Sequence, residues 1–459
     1  MGTKCSKGKF VFQCTGRQAV ATFSGGNISS DGGALLLGEV EKRTGILEQF
    51  ARCFDDYRDP TRIEHTVQDL ISQRVYAIAL GYEDLTDHDE LRKDPLLAAL
   101  VGKRELEGAP LAGKSTLNRL ELTEAGASPS ERYKKIELQE EAVDQVLLDV
   151  FLQAHDEPPD EIILDLDATD DRLHGNQEAR FFHGYYGHYC YLPLYIFCGE
   201  HLLCARLRPS NIDGAAGSVE ELARIVPWIR QSWPNVRIII RADSGFCREE
   251  IMAWCEGENV DYVLGLARNK RLRRRIAKSM RKAKRKHLRT GKPARTFESF
   301  SWRTRTSWSR KRRVVAKAEY LPLGENPRYV VTSLPTRKVT PRILYEDIYC
   351  ARGDMENRIK EQQLYLFADR TSSSSFRANQ IRLYFSSVAY LLMSALRRIG
   401  LKGTDFARAQ CNTIRLKLLK IGARICVTVR KVWVALSSAY PHANVFEQVY
   451  LNLQRAPPA

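Results

Sequence analysis

The sequence predicts an α/β protein: a core of strands and helices in the middle of the chain, preceded by a helical region and interrupted by a basic, β-rich insertion. Three observations carry this expectation. Apolar residues before position 157 recur at helical spacing, β-branched runs alternate with amphipathic stretches between 158 and 267, and a dense run of Lys and Arg after 267 leads into short strand-like segments. A chain of 459 residues is also too long for one ordinary core, so two to four structural units are expected.

In the first region, "IEHTVQDLISQRVYAIAL" sets Ile63, Val67, Leu70, Ile71, Val75 and Ile78 on one helical stripe. Further helices are expected over Asp89–Leu100, over Ser115–Leu122 and from about Tyr133 to Leu152, the last following the turn-rich "TEAGASPSE". "HDEPPDE" closes this region, and the boundary is placed at Glu157.

The texture then changes. "EIILDLDAT" reads as a strand, "YLPLYIFCG" and "HLLCARLRP" as a hairpin across Gly199-Glu200, and Ala215–Gln231 as an amphipathic helix. Strand Val236–Ala242, helix Arg248–Glu256 and strand "VDYVLGLA" follow. Strand, strand, strand, helix, strand, helix, strand is the order of an RNase H-like core, an antiparallel meander passing through helices into parallel strands. Residues 158–267 and 342–399 are assigned to that core and 268–341 to the insertion, which is expected to carry its own small sheet. From 400 to 459 the tail is expected to contain a hairpin, "ARICVTVRKVWVAL".

Lys and Arg outnumber Asp and Glu by 71 to 55, for a formal net charge of +16. The excess points to a polyanion, with nucleic acid ahead of acidic membranes. At 44% hydrophobic residues the chain is a normal folded protein, so disorder does not account for its charge. "MGTKCSKGKFVFQC" holds no apolar run long enough for a signal peptide. The best apolar run, Leu383–Leu396, is short and bracketed by Arg382 and Arg397, so no membrane partner is expected. None of the 11 Cys forms a CxxC pair, which suggests a reducing, cytoplasmic compartment. His183, His188, Cys190, His201 and Cys204 lie near one another in sequence, but their spacing matches no zinc pattern.

Carboxylates carry the functional reading. In "IILDLDATDD", Asp165 and Asp167 share one face of a strand, because strand side chains repeat every second residue, and Asp167 is nearer the C-terminal end. In "IIIRADSGF", Asp243 ends another strand just where the chain must turn, a place where an Asp usually serves as a cap. Side by side in such a core, the two strands would bring Asp167 and Asp243 together. Close carboxylates repel unless a cation neutralises them, and Mg²⁺ with oxygen ligands suits that need. Glu356, on the helix after the insertion, is the best third ligand, with Arg352 and Lys360 one turn to either side; Glu346, Asp347, Asp354 and Glu361 are possible substitutes.

These residues resemble the bacterial insertion-sequence transposases of the DDE class. "DAT", "ADSGF" and "YCARGDME" carry the likeness, the last being similar to the YREK signature with Tyr349, Arg352 and Glu356 at its first three positions. The fourth position falls on Gln363, with Lys360 one turn earlier as the alternative phosphate contact. "SSDGGALLLGEVEKRTGI", "LGYEDLTDHDELRKDP" and "HGYYGHYCYLPLYIFCG" look most like the insertion-sequence family numbered 1380.

The resemblance implies cut-and-paste transposition, with Asp167, Asp243 and Glu356 holding two Mg²⁺, for which Mn²⁺ can substitute, and with Tyr349, Arg352 and Lys360 on phosphates. It further implies cleavage at terminal inverted repeats, strand transfer into target DNA, a homodimer pairing two double-stranded ends, and work on the bacterial nucleoid. Arg271, Arg274, Arg275 and Lys282 in the basic run are expected to grip DNA phosphates without reading sequence. Trp302 and Trp308 are candidates for stacking a flipped base. The helices of 1–157 are the expected readers of the terminal repeats, and 400–459 a possible dimer contact.

Two other readings compete. "GAPLAGKS", Gly108–Ser115, satisfies the phosphate-loop pattern of an ATPase, but the preceding "KRELE" is charged and helical where a buried strand is required. A domesticated, non-cutting DNA-binding relative would hold the same fold, and the three acidic positions in order count against it.

Overall fold

Alternation in "EIILDLDA" sets the centre of the fold. In the computed structural model, which describes residues 8–14, 16–103 and 109–455, this segment is strand β1 (Glu161–Ala168). Its Ile162, Leu164 and Leu166 enter the main apolar core, while Ile163, Asp165 and Asp167 occupy the opposite face. The chain divides into two compact units, residues Gln139–Ser387 and the first 138 residues together with 388–459.

In the unit Gln139–Ser387, helix α1 (Glu140–Gln153) precedes β1 and buries Leu148 and Phe151 in the sheet's core. Strands β2 (Leu194–Cys198) and β3 (His201–Arg206) form the expected hairpin, turning at Gly199, whose φ of 59° suits a residue without a Cβ. Helix α2 (Ser218–Ser232), strand β4 (Arg237–Ala242), helix α3 (Glu249–Gly257) and strand β5 (Asp261–Leu266) follow in the predicted order. β2 pairs antiparallel with β1, β1 parallel with β4, and β4 parallel with β5. Arg206, at the end of β3, ties the layers by pairing with Asp144 and Glu140 of α1 and with Glu221 of α2.

The basic stretch forms helices α4 (Lys270–Arg275) and α5 (Ala277–Thr290), and then strands β6 (Ala294–Trp302), β7 (Arg312–Leu321) and β8 (Arg328–Thr332). These strands do not make a separate small sheet. β8 pairs antiparallel with β5, from Val263↔Thr332 to Leu266↔Tyr329, so one sheet runs β3-β2-β1-β4-β5-β8-β7-β6. The physical reason is that β5 would otherwise expose a hydrogen-bonding edge, and the β-branched Val330 and Val331 complete it. The sheet is mixed and the fold is α/β.

After β8 the chain is helical from Pro341 to Tyr365, but it is not one regular helix. π turns at Leu344–Tyr349 and Glu361–Tyr365 flank a 3₁₀ turn, Cys350–Arg352, and an α-helix, α6 (Gly353–Lys360). Leu344 and Tyr345 pack with Ile239, Val263, Val315 and Val330 on the second face of the sheet, the face that carries Asp165 and Asp167.

In the other unit, helix Val67–Leu80 forms as its apolar stripe predicts, started by a capping box of Thr66 and Asp69. The helix expected over Asp89–Leu100 is instead two, His88–Leu91 and Pro95–Val101, because Pro95 opens a new helix capped by Asp94. The tail hairpin is present as Ala423–Val427 and Val432–Leu436, and Asn27–Ser29 adds a third strand. Among the described residues every cysteine is a free thiol, and no helix is long and apolar enough to cross a membrane.

Candidate active site

The parallel register of β1 and β4 sets Asp165 directly opposite Arg241. Their side chains form a two-pronged ion pair, with Arg241 Nε and Nη2 donating to Asp165 at 2.5 and 2.7 Å, and both are buried, 4% and 7% exposed. The third nitrogen, Nη1, donates to the carbonyl of Ile348 at 2.5 Å. One guanidinium therefore fastens two central strands to the helical run that carries Tyr349, Arg352 and Glu356. Asp165 is thereby committed to structure, which leaves Asp167 as the strand-end carboxylate.

Asp167, two residues on, accepts from Arg352 Nη1 at 2.9 Å, and the same guanidinium donates through Nη2 to Glu356 at 2.8 Å. Asp167 and Glu356 are thus brought onto one side chain from elements 185 and more residues apart. Burial pushes the Asp167 carboxyl up to about 6; the charge and hydrogen bond of Arg352 oppose the shift, and the charge of Asp243 adds to it. Asp243, at the end of β4, is near enough to be felt there. Its Oδ1 accepts from Gly245 N at 2.7 Å, so the residue also caps the turn Ser244–Phe246.

Tyr349 closes the group from the side. Burial raises its hydroxyl, with Arg352 opposing and Asp243 adding to the effect. The ring reaches across β5 at Gly265, where an added Cβ would lie 2.5 Å from the Tyr349 hydroxyl and 2.8 Å from Ser244 N. Gly265 is therefore required by close approach alone. Beside it lies a cleft of about 340 Å³ whose walls include Ser244, Arg268, Arg328 and Tyr349.

The other acids of the helical run point elsewhere or lack such a partner. Glu346 pairs with Arg295 and Arg342, and Glu361 is fully buried against Arg358. Asp354 lies near enough to raise the Asp165 carboxyl, and Asp347 is exposed. Lys360 is exposed one turn beyond Glu356. Gln363 is turned away by the second π turn, and its amide donates to Thr169 Oγ1, the Asp170 carbonyl and Asp171 Oδ1 at 3.4, 3.2 and 2.8 Å. Among the described residues, no three Asp, Glu, His or Cys side chains are gathered as a metal cage. Arg352 stands between two of the three carboxylates concerned.

The chain matches the protein family described as "Transposase DDE domain group 1" over residues 12–458. It belongs to the DDE transposases. A comparison with curated proteins gave no match. Membership makes the chain an enzyme of DNA transposition and recombination that binds DNA, in keeping with its net charge of +16.

The transposase carries its basic run on α4 and α5, where Leu272, Met280 and Ala283 are buried, as is Ile276 between the two helices. Arg274 and Lys282 are exposed on these helices. Arg271 and Arg275 are partly absorbed in packing: Arg271 lies 4.7 Å from the Trp302 ring centre, and Arg275 lies 4.5 Å from that of Phe300 while pairing with Glu298. Trp308 is 3% exposed and beside Arg312, which removes it as a surface for a base; Trp302 is half-buried under Arg271.

The phosphate-loop motif of the transposase finds no strand before it among the described residues. Lys114 pairs with Asp89 at 3.1 Å and opens a helix, Lys114–Glu121, while Gly108 and the residues from 104 lie outside the described ones. Two site residues escape sequence reading. Arg241 sits inside the apolar run "IIIRA", where a lone charge facing a lone carboxylate on another strand is the signal, and Gly265 sits unmarked within "VLGLA".

Proposed function

We propose that this transposase moves an insertion sequence by cut-and-paste, cutting double-stranded DNA at terminal inverted repeats and joining the freed 3′ ends to target DNA. The observation that carries the reading is the single guanidinium shared by Asp167 and Glu356, with Asp243 beside them on the adjacent strand. The order of pairings β2-β1-β4-β5 supports an RNase H-like core, and the likeness of "SSDGGALLLGEVEKRTGI", "LGYEDLTDHDELRKDP" and "HGYYGHYCYLPLYIFCG" supports placement in the insertion-sequence family numbered 1380.

The residues fit divalent metal. Their donors are carboxylate oxygens, the ligand type of hard cations, and one guanidinium among three carboxylates leaves the cluster anionic. Two Mg²⁺ held by Asp167, Asp243 and Glu356 would supply Lewis acidity to the attacking water or 3′ hydroxyl and offset charge on the leaving oxygen. Arg352, released from the carboxylates, would hold a DNA phosphate, with Tyr349 and Lys360 as further phosphate contacts. Exposed Arg274 and Lys282 position the duplex through its backbone. Two ends must be cut together, which favours a homodimer acting on the bacterial nucleoid.

The test is cleavage of a labelled duplex bearing the terminal repeat, with Mg²⁺, Ca²⁺ or EDTA, by wild type and by Asp167→Ala, Asp243→Ala and Glu356→Ala. Cutting at the repeat boundary with Mg²⁺ alone, lost in each variant while binding persists, is expected. Binding by wild type without cutting under any metal would make the chain a DNA-binding relative instead.

A further inference from the structure

The unit that holds both ends of the chain carries a surface that the cutting chemistry does not use. Strands Ala423–Val427 and Val432–Leu436 pair as a hairpin, and Asn27–Ser29 covers only its base, from Ala423↔Ser29 to Ile425↔Asn27. Past Ile425 the hairpin runs on as a two-stranded ribbon, with Cys426 opposite Trp433 and Val427 opposite Val432. Its tip is closed twice over: Thr428 N donates to the Lys431 carbonyl at 2.9 Å, and Lys431 N donates to Thr428 Oγ1 at 3.0 Å.

Alternation gives this small sheet two different faces. One packs Ala423 and Ile425 against Leu96 and Leu35. The other is open: Ile28 is 65% and Trp433 58% exposed, and Arg424, Cys426 and Ala435 are exposed on the same side. Val429, at the tip, touches nothing and is fully exposed. Apolar surface left open in this way, with Arg among it, ordinarily meets a partner.

Charge identifies the partner. The sequence has no Asp or Glu from Met1 to Ser30 or from Phe406 to Phe446, the two stretches that supply all three strands, while Lys and Arg recur through both. Lys420 is neutralised by Asp31 at 2.6 Å. Arg424, Arg430 and Lys431, in contrast, are exposed and have no ion-pair partner among the described residues; Lys431 lies over the Trp433 ring at 5.8 Å. A second copy of the chain, meeting this face about a two-fold axis, would set like charges together. A polyanion fits instead, and the family to which the chain belongs acts on DNA. Shape narrows the fit. The major groove of B-DNA, about 12 Å wide, admits a two-stranded β-ribbon, and the hairpin past Ile425 is of that width.

We propose that the ribbon Cys426–Trp433 enters the major groove of duplex DNA, with Arg424, Arg430 and Lys431 on the flanking phosphates and the apolar tip against base edges. Where the terminal helices were the expected readers of the element's ends, this surface is built of strands from both ends of the chain. The test uses the full-length protein on a duplex bearing the terminal repeat, probed with dimethyl sulfate, which methylates guanine N7 in the major groove. Wild type should shield a short block of guanines. Arg430→Ala with Lys431→Ala should uncover that block and lower the slope of log affinity against log salt by about 2. Val429→Asp, at a side chain that packs on nothing, should uncover the same block by setting a negative charge against the DNA. No shielded guanine in the wild-type complex, or shielding unchanged in both variants, would overturn the proposal. A slope that falls while the shield stays would put the ribbon outside the groove, overturning it as well. So would variants that hold the duplex as before but lose a dimer in sedimentation, or lose binding to phosphatidylserine vesicles; these outcomes would assign the face to a second copy or to a membrane. A wild type that shields the block, with the variants uncovering it, yet cuts nothing with Mg²⁺ would support the ribbon and sink only the cut-and-paste reading.

Discussion

Arg241→Met tests the strand-to-helix fastening directly. The substitution leaves Asp165, 4% exposed, as a buried carboxylate without its ion-pair partner, and removes the guanidinium's hydrogen bond to the Ile348 carbonyl. Breaking a buried pair from one side costs about 3–5 kcal/mol. Even the lower figure is a large part of a domain's usual stability of about 5–15 kcal/mol. Arg241→Met with Asp165→Leu removes both charges together, so it should recover most of the loss, since apolar replacement of such pairs is often neutral or better. The tie to Ile348 remains broken, however, next to Tyr349 and four residues before Arg352. The double variant is therefore expected to unfold near the wild-type urea midpoint yet cut DNA much more slowly, with duplex binding retained. Urea titration by Trp fluorescence and the duplex cleavage assay measure the two effects. A single variant within about 1 kcal/mol of wild type would refute the account of a buried pair, and a double variant cutting at the wild-type rate would refute the role of the tie.

Other expectations follow from single contacts. Gly265→Ala should cost about 1–3 kcal/mol and most cleavage, because its Cβ meets both the Tyr349 hydroxyl and the backbone at Ser244; adding Tyr349→Phe relieves only the first clash, so stability should recover in part. Asp171 is fully buried, and burial pushes its carboxyl up to about 8, with the Gln363 hydrogen bond opposing and the charges of Asp369 and Asp170 adding; Tyr195 faces it as well. Its folded pKa lies above the unfolded value, so its contribution is complete below about pH 4 and is lost as pH rises toward 8. Asp171→Asn keeps an acceptor for Gln363 without the charge, and thermal melts should show it gaining on wild type steadily from pH 5 to 8. Arg274→Ala and Lys282→Ala should weaken binding to every duplex alike and each lower the slope of log affinity against log salt by about 1, measured by anisotropy titration.

The strands and the order of the acidic positions were legible because both depend on short-range rules. Period-two alternation in "IILDLDA" separates the core face from the carboxylate face, and "ADSGF" marks a strand end by turn formers. What depends on register was not legible. That Arg241 lies opposite Asp165 follows only from how β1 and β4 pair, and Arg within a strand otherwise reads as solvent-facing. The same holds for β8, whose partner is chosen by an open edge on β5 rather than by anything within "RYVVTSL". Trp308 stands among basic residues in sequence and was a stacking candidate, yet it is buried, and Arg312, its cation neighbour, is itself held between Glu249 and Glu256. The helical run deceived differently: its i, i+4 spacing holds from Arg352 to Glu356, but the π turn at Glu361–Tyr365 rotates Gln363 onto Asp171.

The unbroken sheet has a mechanical consequence. Helix α5 packs on β6 and β7, and these strands are hydrogen-bonded through β8 and β5 to the strands ending in Asp167 and Asp243. Twisted sheets resist bending along the ladder, so on the proposed reading the grip on the duplex and the point of cutting would be two marks on one stiff beam. In the proposed reaction, the distance from a phosphate seated at Arg274 or Lys282 to the severed bond is then fixed by protein architecture and counted in base pairs, with no base read along the way.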